Sequence, residues 1–441
     1  MQAFCLNKHN FLVIQHNCPA CGRTSRISND VFDIHKSKIP FLRYCCSDTS
    51  KLTLQSNFKF RFIFMKNFLY FLALGTLLTP LASCKKSGCT NPVASNYNSK
   101  AKKDDGSCTY DFTYTIPTTY SFTNSSGQST VNYAGQTDRI NQLIEMIGYT
   151  ELGTTQAISA QVLKDMFANT GGNGNGNFSF TSTKNLQDKC FSLDTATIIA
   201  HFSDIAVASN SYMNTASNGQ AGILTSGTST YLFDANGFDK SEIIEKSIMG
   251  AVFKYQALNV YLGSANMNVD NTTPVSGQTY TNMEHHWDEC FGYFSVPVNF
   301  PTAPAFAFWG KYCNSQNAAL NSNQVMMGSF LKGRAAISNN VLTDRDAAIV
   351  AIREMWEKIA AYQAMKYLDQ AVTNYGTDQA KYLHVLSEAY GFIYSLRFAP
   401  AETRNISITE VDNLLADFNG NLWSLTVNDI NAIKAVIDAN Y

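Results

Sequence analysis

The chain has 441 residues, more than one typical domain needs, and 45% of them are hydrophobic, enough for a sizeable core. Lys and Arg number 33 against 34 Asp and Glu, which gives no basic surplus for nucleic acid and no acidic excess that would favour disorder.

Residues 1–64 show little helical or strand periodicity. Their cysteines do not make a zinc knuckle: Cys18 and Cys21 are spaced for one, but Cys45 and Cys46 are adjacent. Met65 opens a different stretch, with Lys66, an apolar run Phe68–Leu81, and then Leu81-Ala82-Ser83-Cys84. A basic start, a short apolar run and small residues before a cut are the pattern of a secretory signal. The run has 14 residues, whereas a spanning helix needs about 20. Leu-Ala-Ser-Cys resembles the bacterial lipobox, which implies lipidation of Cys84 and a mature chain that starts there. Residues 1–64 are then expected to be an upstream extension from a mis-assigned start, and 65–83 the lipoprotein signal peptide. Lys85 and Lys86 resemble neither an inner-membrane retention signal nor an acidic surface-export tag. The expected place is the cell envelope, anchored in the outer membrane and facing the periplasm, with the cell surface as the alternative.

Residues 84–110 read as the anchor and a short module. Cys89 and Cys108 enclose a small polar loop, which in an oxidising compartment reads as a disulfide. Asp104, Asp105 and Asn96 offer oxygens to a cation, but a turn built on Asp105-Gly106 explains them more simply. Alternating aromatics in 111–132 suggest one or two short strands or an extended connector. Helical spacing then marks Ile140–Ile147, Ile158–Met166 and, across 184–208, Leu186 to Phe202. Asn173–Asn177 is a loop, and Gly222–Thr225 with Thr230–Phe233 a β-hairpin. Ser241 is expected to cap a helix reaching Leu262, with Glu242 and Glu245 where the dipole favours them. Further helices fall at 282–293, 306–312, 324–337, 343–372, 378–398, 409–417 and 427–440.

Two of these helices look like copies. His285-x-x-x-Glu289 is followed by Cys290-Phe291-Gly292-Tyr293, and His384-x-x-x-Glu388 by Ala389-Tyr390-Gly391-Phe392. Positions i and i+4 share a helix face, so each copy sets His beside Glu. Tyr255-Gln256-Ala257-Leu258 with Tyr261-Leu262 precedes the first copy, and Tyr362-Gln363-Ala364-Met365 with Tyr367-Leu368 the second. The repeat predicts a mainly α domain over 111–441, made of two packed helical bundles related by internal duplication, each with its own core. Gly292 and Gly391 would let a neighbouring helix approach closely.

His286-Trp287-Asp288-Glu289 has the His-x-x-Glu spacing of the imelysin-like bacterial envelope proteins, which this chain resembles. Glu284 stands where that family usually has Gly. Tyr133–Arg139, Lys246–Ala251 and His285–Tyr293 look closer to a branch of lipoproteins catalogued as domain of unknown function 4856, a resemblance over roughly 112–440. The imelysin resemblance implies two four-helix bundles and either a metallopeptidase or a part in iron uptake. Catalytic zinc wants three protein ligands and a general base, commonly as His-Glu-x-x-His, a motif absent here.

The expected function is therefore a non-catalytic binding role, with iron or zinc at His285, His286, Glu289, His384 and Glu388. A pseudo-twofold between the bundles would bring His285, Glu289, His384 and Glu388 together, with His286 and Asp288 pointing elsewhere. The competing expectation is that each pair satisfies a polar core in a structural or interaction lipoprotein. The expected partners are the membrane, through the lipid, and envelope proteins, not nucleic acid. Arg139, Arg334 and Arg397 would pair with carboxylates or stand free, and the four Trp residues would be core. Among Cys190, Cys290 and Cys313 the spacing leaves open which pair, if any, is bridged.

Overall fold

The computed structural model describes residues 86–441 apart from Val93, Pro304 and Ala305, with two dipeptide strands nearer the start. Those strands, β1 (Cys5–Leu6) and β2 (Leu12–Val13), pair antiparallel in a unit of their own, Met1–Ala82. The expected signal peptide, Cys84, and Cys18, Cys21, Cys45 and Cys46 lie outside the described residues. All that follows concerns the second unit, Ser83–Tyr441.

That unit begins with a stapled module. Cys89 and Cys108 form a disulfide, and β3 (Ser87–Gly88) pairs parallel with β4 (Lys103–Asp104). Asp104 and Asp105 accept from the backbone N–H groups of Gly106 and Ser107, so their oxygens build the turn. The Lys332 ammonium donates to the Ala94 carbonyl and fastens the module to the helices. Residues 111–133 form an extended connector with a single bridge, Thr123 to Ser129.

Three helices come first: α1 (Ala134–Glu151), α2 (Ala160–Ala168) and α3 (Thr195–Ser209). The third starts later than its spacing suggests, because residues 187–189 form only a 3₁₀ turn and Leu193 is exposed. The hairpin is β5 (Gly222–Ser226) with β6 (Ser229–Phe233), joined by Gly227-Thr228 with Gly227 at positive φ. Then α4 (Lys240–Ile248) is capped by Asp239, not Ser241; the Asp239 side chain accepts from the Ser241 N–H.

The same helix runs on to Tyr261 through two π-helical turns, Met249–Lys254 and Gln256–Tyr261. A π turn takes up an inserted residue at the cost of displaced backbone bonds. Leu262 N–H accordingly reaches back five residues to the Ala257 carbonyl. The carbonyls of Met249 and Ala251 gain extra donors, Trp309 Nε1 at 2.9 Å and Phe191 N at 2.8 Å.

After the short α5 (Ser264–Met267) come α6 (Asn282–Phe294), α7 (Phe308–Ser315), α8 (Asn317–Leu320) and α9 (Ser322–Ser338). The 33-residue α10 (Leu342–Asn374) is about 50 Å long at 1.5 Å per residue. It is followed by α11 (Gln379–Leu396), α12 (Ile408–Ala416) and α13 (Val427–Asn440). Thr281–Glu284, Ser407–Glu410 and Thr426–Asp429 form capping boxes that start α6, α12 and α13.

Packing centres on α11, which lies along α10 on one side and α4 on another; α10 in turn packs on α9 and α13. α6 packs on α1, α9 and the second π turn. One continuous apolar core joins these helices, from Tyr120 to Ile437, so the expected separate core for each bundle is not found. Trp287, Trp309 and Trp356 sit at its centre, whereas Trp423 is half-buried. Cys190, Cys290 and Cys313 are all free, buried thiols. Among the described residues no helix is long and apolar enough to cross a membrane.

Candidate functional site: two His-Glu pairs

The structure puts the five candidate residues in two places, each with its own partners. The first is on α6. Its capping box fixes the start of the helix, so His285 and Glu289 share a face one turn apart. His285 Nδ1 meets the Asn132 carbonyl at 3.0 Å, and its ring stacks on Tyr280. Its Nε2 is 4.0 Å from Glu289 Oε1. His286 does not point elsewhere: its Nδ1 is 3.1 Å from Glu289 Oε2. The Gln136 amide donates to Glu289 Oε1 at 3.1 Å and to Tyr261 OH at 3.3 Å.

Burial works against the Glu289 charge, but His286, His285 and Gln136 outweigh it and hold the carboxyl below its usual range. Burial lowers His285, with Glu289 opposing. The side chains keep 28% (His285), 23% (His286) and 16% (Glu289) of their exposure, so solvent reaches this place.

Behind it lies a separate network. Arg334 is fully buried and donates to Asp288 Oδ1 at 2.9 Å and Glu284 Oε1 at 2.7 Å. Tyr120 OH also donates to Asp288, and burial pushes that carboxyl up to about 6 despite Arg334. Glu284 therefore has two structural tasks, the helix cap and the arginine. Arg397 pairs with Asp412, and Arg139 donates to the Asn185 and Gly135 carbonyls instead of a carboxylate.

The second place, on α11, is more closed. His384 stacks on Tyr231 of β6, with ring centroids 4.2 Å apart. Its Nδ1 is 3.1 Å from Asp239 Oδ2, and its Nε2 is 3.8 Å from Glu388 Oε1. Ser387, one turn along, receives the Asp239 N–H at 2.8 Å and holds the start of α4 against α11. From α4, Lys246 places its ammonium among Glu242, Glu245 and Glu388 at 2.5, 2.8 and 2.8 Å.

Burial and the Glu242 charge push Glu388 up to about 7, with Lys246 opposing. Glu242 itself is held down at about 2, because Lys246 and His384 overcome its burial. Lys246 and His384 are both raised: burial opposes their charges, and the surrounding carboxylates win.

One oxygen each from Asp239 and Glu242 and a ring nitrogen of His384 all lie within 4.8 Å of one another, close enough to share a metal ion. Among the described residues this is the one such group of three or more His, Cys, Asp or Glu. The sequence reading found His384 and missed its two partners. Asp239 lies just outside the helix expected to start at Ser241, and Glu242 reads as a carboxylate favoured by the helix dipole. The usable signal was Asp239-x-x-Glu242 at a helix start, three residues apart.

Fold and site together define a mainly α protein with two buried-to-half-buried His-Glu pairs, one beside surplus carboxylates. The chain belongs to a family whose model, described as a domain of unknown function (DUF4856), matches residues 117–441. No curated protein and no solved structure matches the chain.

Proposed function

We propose that this chain is a lipid-anchored cell-envelope protein with a non-catalytic binding role, and that it binds a divalent transition-metal ion at Asp239, Glu242 and His384. The observation that carries this reading is the convergence of those three side chains within 4.8 Å. One imidazole and two carboxylates suit iron, zinc or manganese. Charge argues the same way. Glu245 and Glu388 add two more carboxylates, against the ammonium groups of Lys246 and Lys311 and the His384 imidazole. A cation there relieves carboxylates that otherwise crowd one another in a low-dielectric place.

Dialysis against Fe²⁺, Zn²⁺ or Mn²⁺, followed by elemental analysis, is expected to give about one ion per chain. His384→Ala and Glu242→Gln should each abolish it, while His286→Ala should leave it intact. Metal that survives both of the first two substitutions would place the ion elsewhere and sink this site.

A second reading has its own observation. The Lys246 ammonium already bridges Glu242, Glu245 and Glu388, as a tethered cation would. On that reading the cluster is a satisfied polar core, and the chain is a structural or interaction lipoprotein without metal. A peptidase gains little support, because both Glu289 oxygens are engaged by His286 and Gln136.

We also infer an internal duplication, with the imelysin-like kinship resting on it and on His286-x-x-Glu289. Its support is local geometry. Tyr261 and Tyr293 stack at 6.0 Å and 26° beside Glu289; Tyr367 and Phe392 stack at 5.9 Å and 26° beside Glu388. Gly292 meets Gln136 where Gly391 meets Lys246, and each of those residues bonds the neighbouring Glu. Tyr261 follows Tyr255 by six residues and Tyr367 follows Tyr362 by five. The π turns take up that extra residue.

The anchor is tested separately. Radiolabelled palmitate fed to the producing bacterium should enter the protein, and Cys84→Ala should lose the label.

A further inference from the structure

The formal charge of the whole chain is −1, but it is unevenly spread. Residues 84–110 hold five Lys against two Asp, whereas residues 111–441 hold 18 Lys and Arg against 29 Asp and Glu. The stapled module is basic and the helical domain acidic. Such an asymmetry along a chain points to a partner with a charged surface.

Folding concentrates the module's charge. Parallel pairing of β3 with β4 sets Ser87 beside Lys103, and the Lys102 N–H donates to the Lys86 carbonyl at 2.7 Å. Lys86 thus comes beside Lys102, although 16 residues separate them in sequence. Paired strands lie about 4.8 Å apart. Lys86, Lys100, Lys102 and Lys103 are all exposed, and among the described residues none of the four forms an ion pair. Like charges set side by side repel one another. The module's two acids, Asp104 and Asp105, lie at the turn, where each gives an oxygen to a backbone N–H, of Gly106 and Ser107.

The patch is also fixed in place. Lys332 ties the module to the helices through the Ala94 carbonyl. On α10, burial raises the Glu354 carboxyl, with Lys358, Lys100 and Lys102 opposing, so one half-buried carboxylate is shared by three ammonium groups. Lys86 comes two residues after Cys84, at most about 7 Å of extended chain. That is within one Debye length at physiological salt, about 8 Å.

We propose that Lys86, Lys100, Lys102 and Lys103 dock on the head groups of anionic phospholipids and turn the acidic domain away from the membrane. The placement beside a bilayer rests on the lipid anchor at Cys84 proposed above. The lipid fixes the protein to the membrane, and the patch sets which way up it stands.

Vesicle sedimentation of the mature chain made with Cys84→Ser, and so without an acyl chain, tests this. That chain corresponds to the second compact unit. Vesicles of phosphatidylglycerol and phosphatidylcholine are compared with vesicles of phosphatidylcholine alone. Four lysines predict half-binding at about 1 mM anionic lipid in low salt, loss of binding as salt rises to about 0.5 M, and no binding to the neutral vesicles. Lys100→Gln with Lys102→Gln should weaken binding at least about tenfold without moving the melting temperature. Lys184→Gln with Lys366→Gln, two exposed lysines of the helical domain, should change nothing. No binding to anionic vesicles would overturn the proposal and leave the patch to an acidic protein. Equal binding to neutral vesicles, or equal weakening by both pairs of substitutions, would overturn it too. None of these results depends on acylation, so a failed palmitate label beside intact vesicle binding would strike the anchor and keep the patch.

Discussion

Arg334 shows how a single side chain organises α6. It is the one guanidinium shared by Asp288 and Glu284, and it also donates to Thr130 in the connector. Removing one partner of a buried ion pair strands the other, at about 3–5 kcal/mol. Arg334→Ala should therefore lower the free energy of urea unfolding by about that amount, whereas loss of less than about 1 kcal/mol would mean the network is surface-like. Lys254 makes the opposite kind of prediction. It is buried over the Trp309 ring and, among the described residues, has only the Ser395 carbonyl, at 3.3 Å, as acceptor. Burial lowers it to about 8, with Glu357 opposing. The unfolded chain keeps this proton up to its ordinary value of 10.5, so between pH 8 and 10.5 the unfolded state binds more protons and stability rises with pH. The stability difference between the protein and its Lys254→Met variant, from urea melts at pH 7 and pH 10, should shift in favour of the parent at the higher pH. A difference that does not change would show that Lys254 titrates normally.

At the level of elements, two glycines set how closely helices cross. A Cβ on Gly391 would lie 2.5 Å from Lys246 Cβ, and one on Gly292 would lie 2.8 Å from the Cβ atoms of Gln136 and Tyr133. Gly391→Ala should cost roughly 1–3 kcal/mol from overpacking and push Lys246 away from Glu388. Gly148 is the internal control: it lies exposed within α1, and nothing stands within 4 Å of its added Cβ. Gly148→Ala should instead stabilise the protein by up to about 1 kcal/mol. Thermal melts of the two variants should move in opposite directions. The glycine crossings, the hairpin and nearly every helix were legible in the sequence, because apolar spacing and turn residues are local signals. The π turns were not. An inserted residue inside a helix keeps the local propensity, and only comparison with Tyr362–Tyr367 reveals it.

On the scale of the whole molecule, the sequence placed the His-Glu pairs but not their company. His384 owes its surroundings to Asp239 and Glu242, some 140 residues earlier, and only the packing of α4 on α11 brings them together. The expectation that both pairs meet near one axis assumed two equal bundles. One core runs through all the helices instead, and each pair faces its own neighbour: α1 for Glu289 and α4 for Glu388. The two places also differ in charge. The half-open one is balanced by His286 and Gln136, and the closed one carries surplus carboxylates around Lys246. That difference is why the proposed metal is assigned to the second copy alone, not shared between the two. Anomalous diffraction from crystals equilibrated with Zn²⁺ or Fe²⁺ tests this most directly. A single strong peak in contact with Asp239, Glu242 and His384 is expected. A peak beside His286 and Glu289, or no peak at His384 with metal in excess, would contradict it.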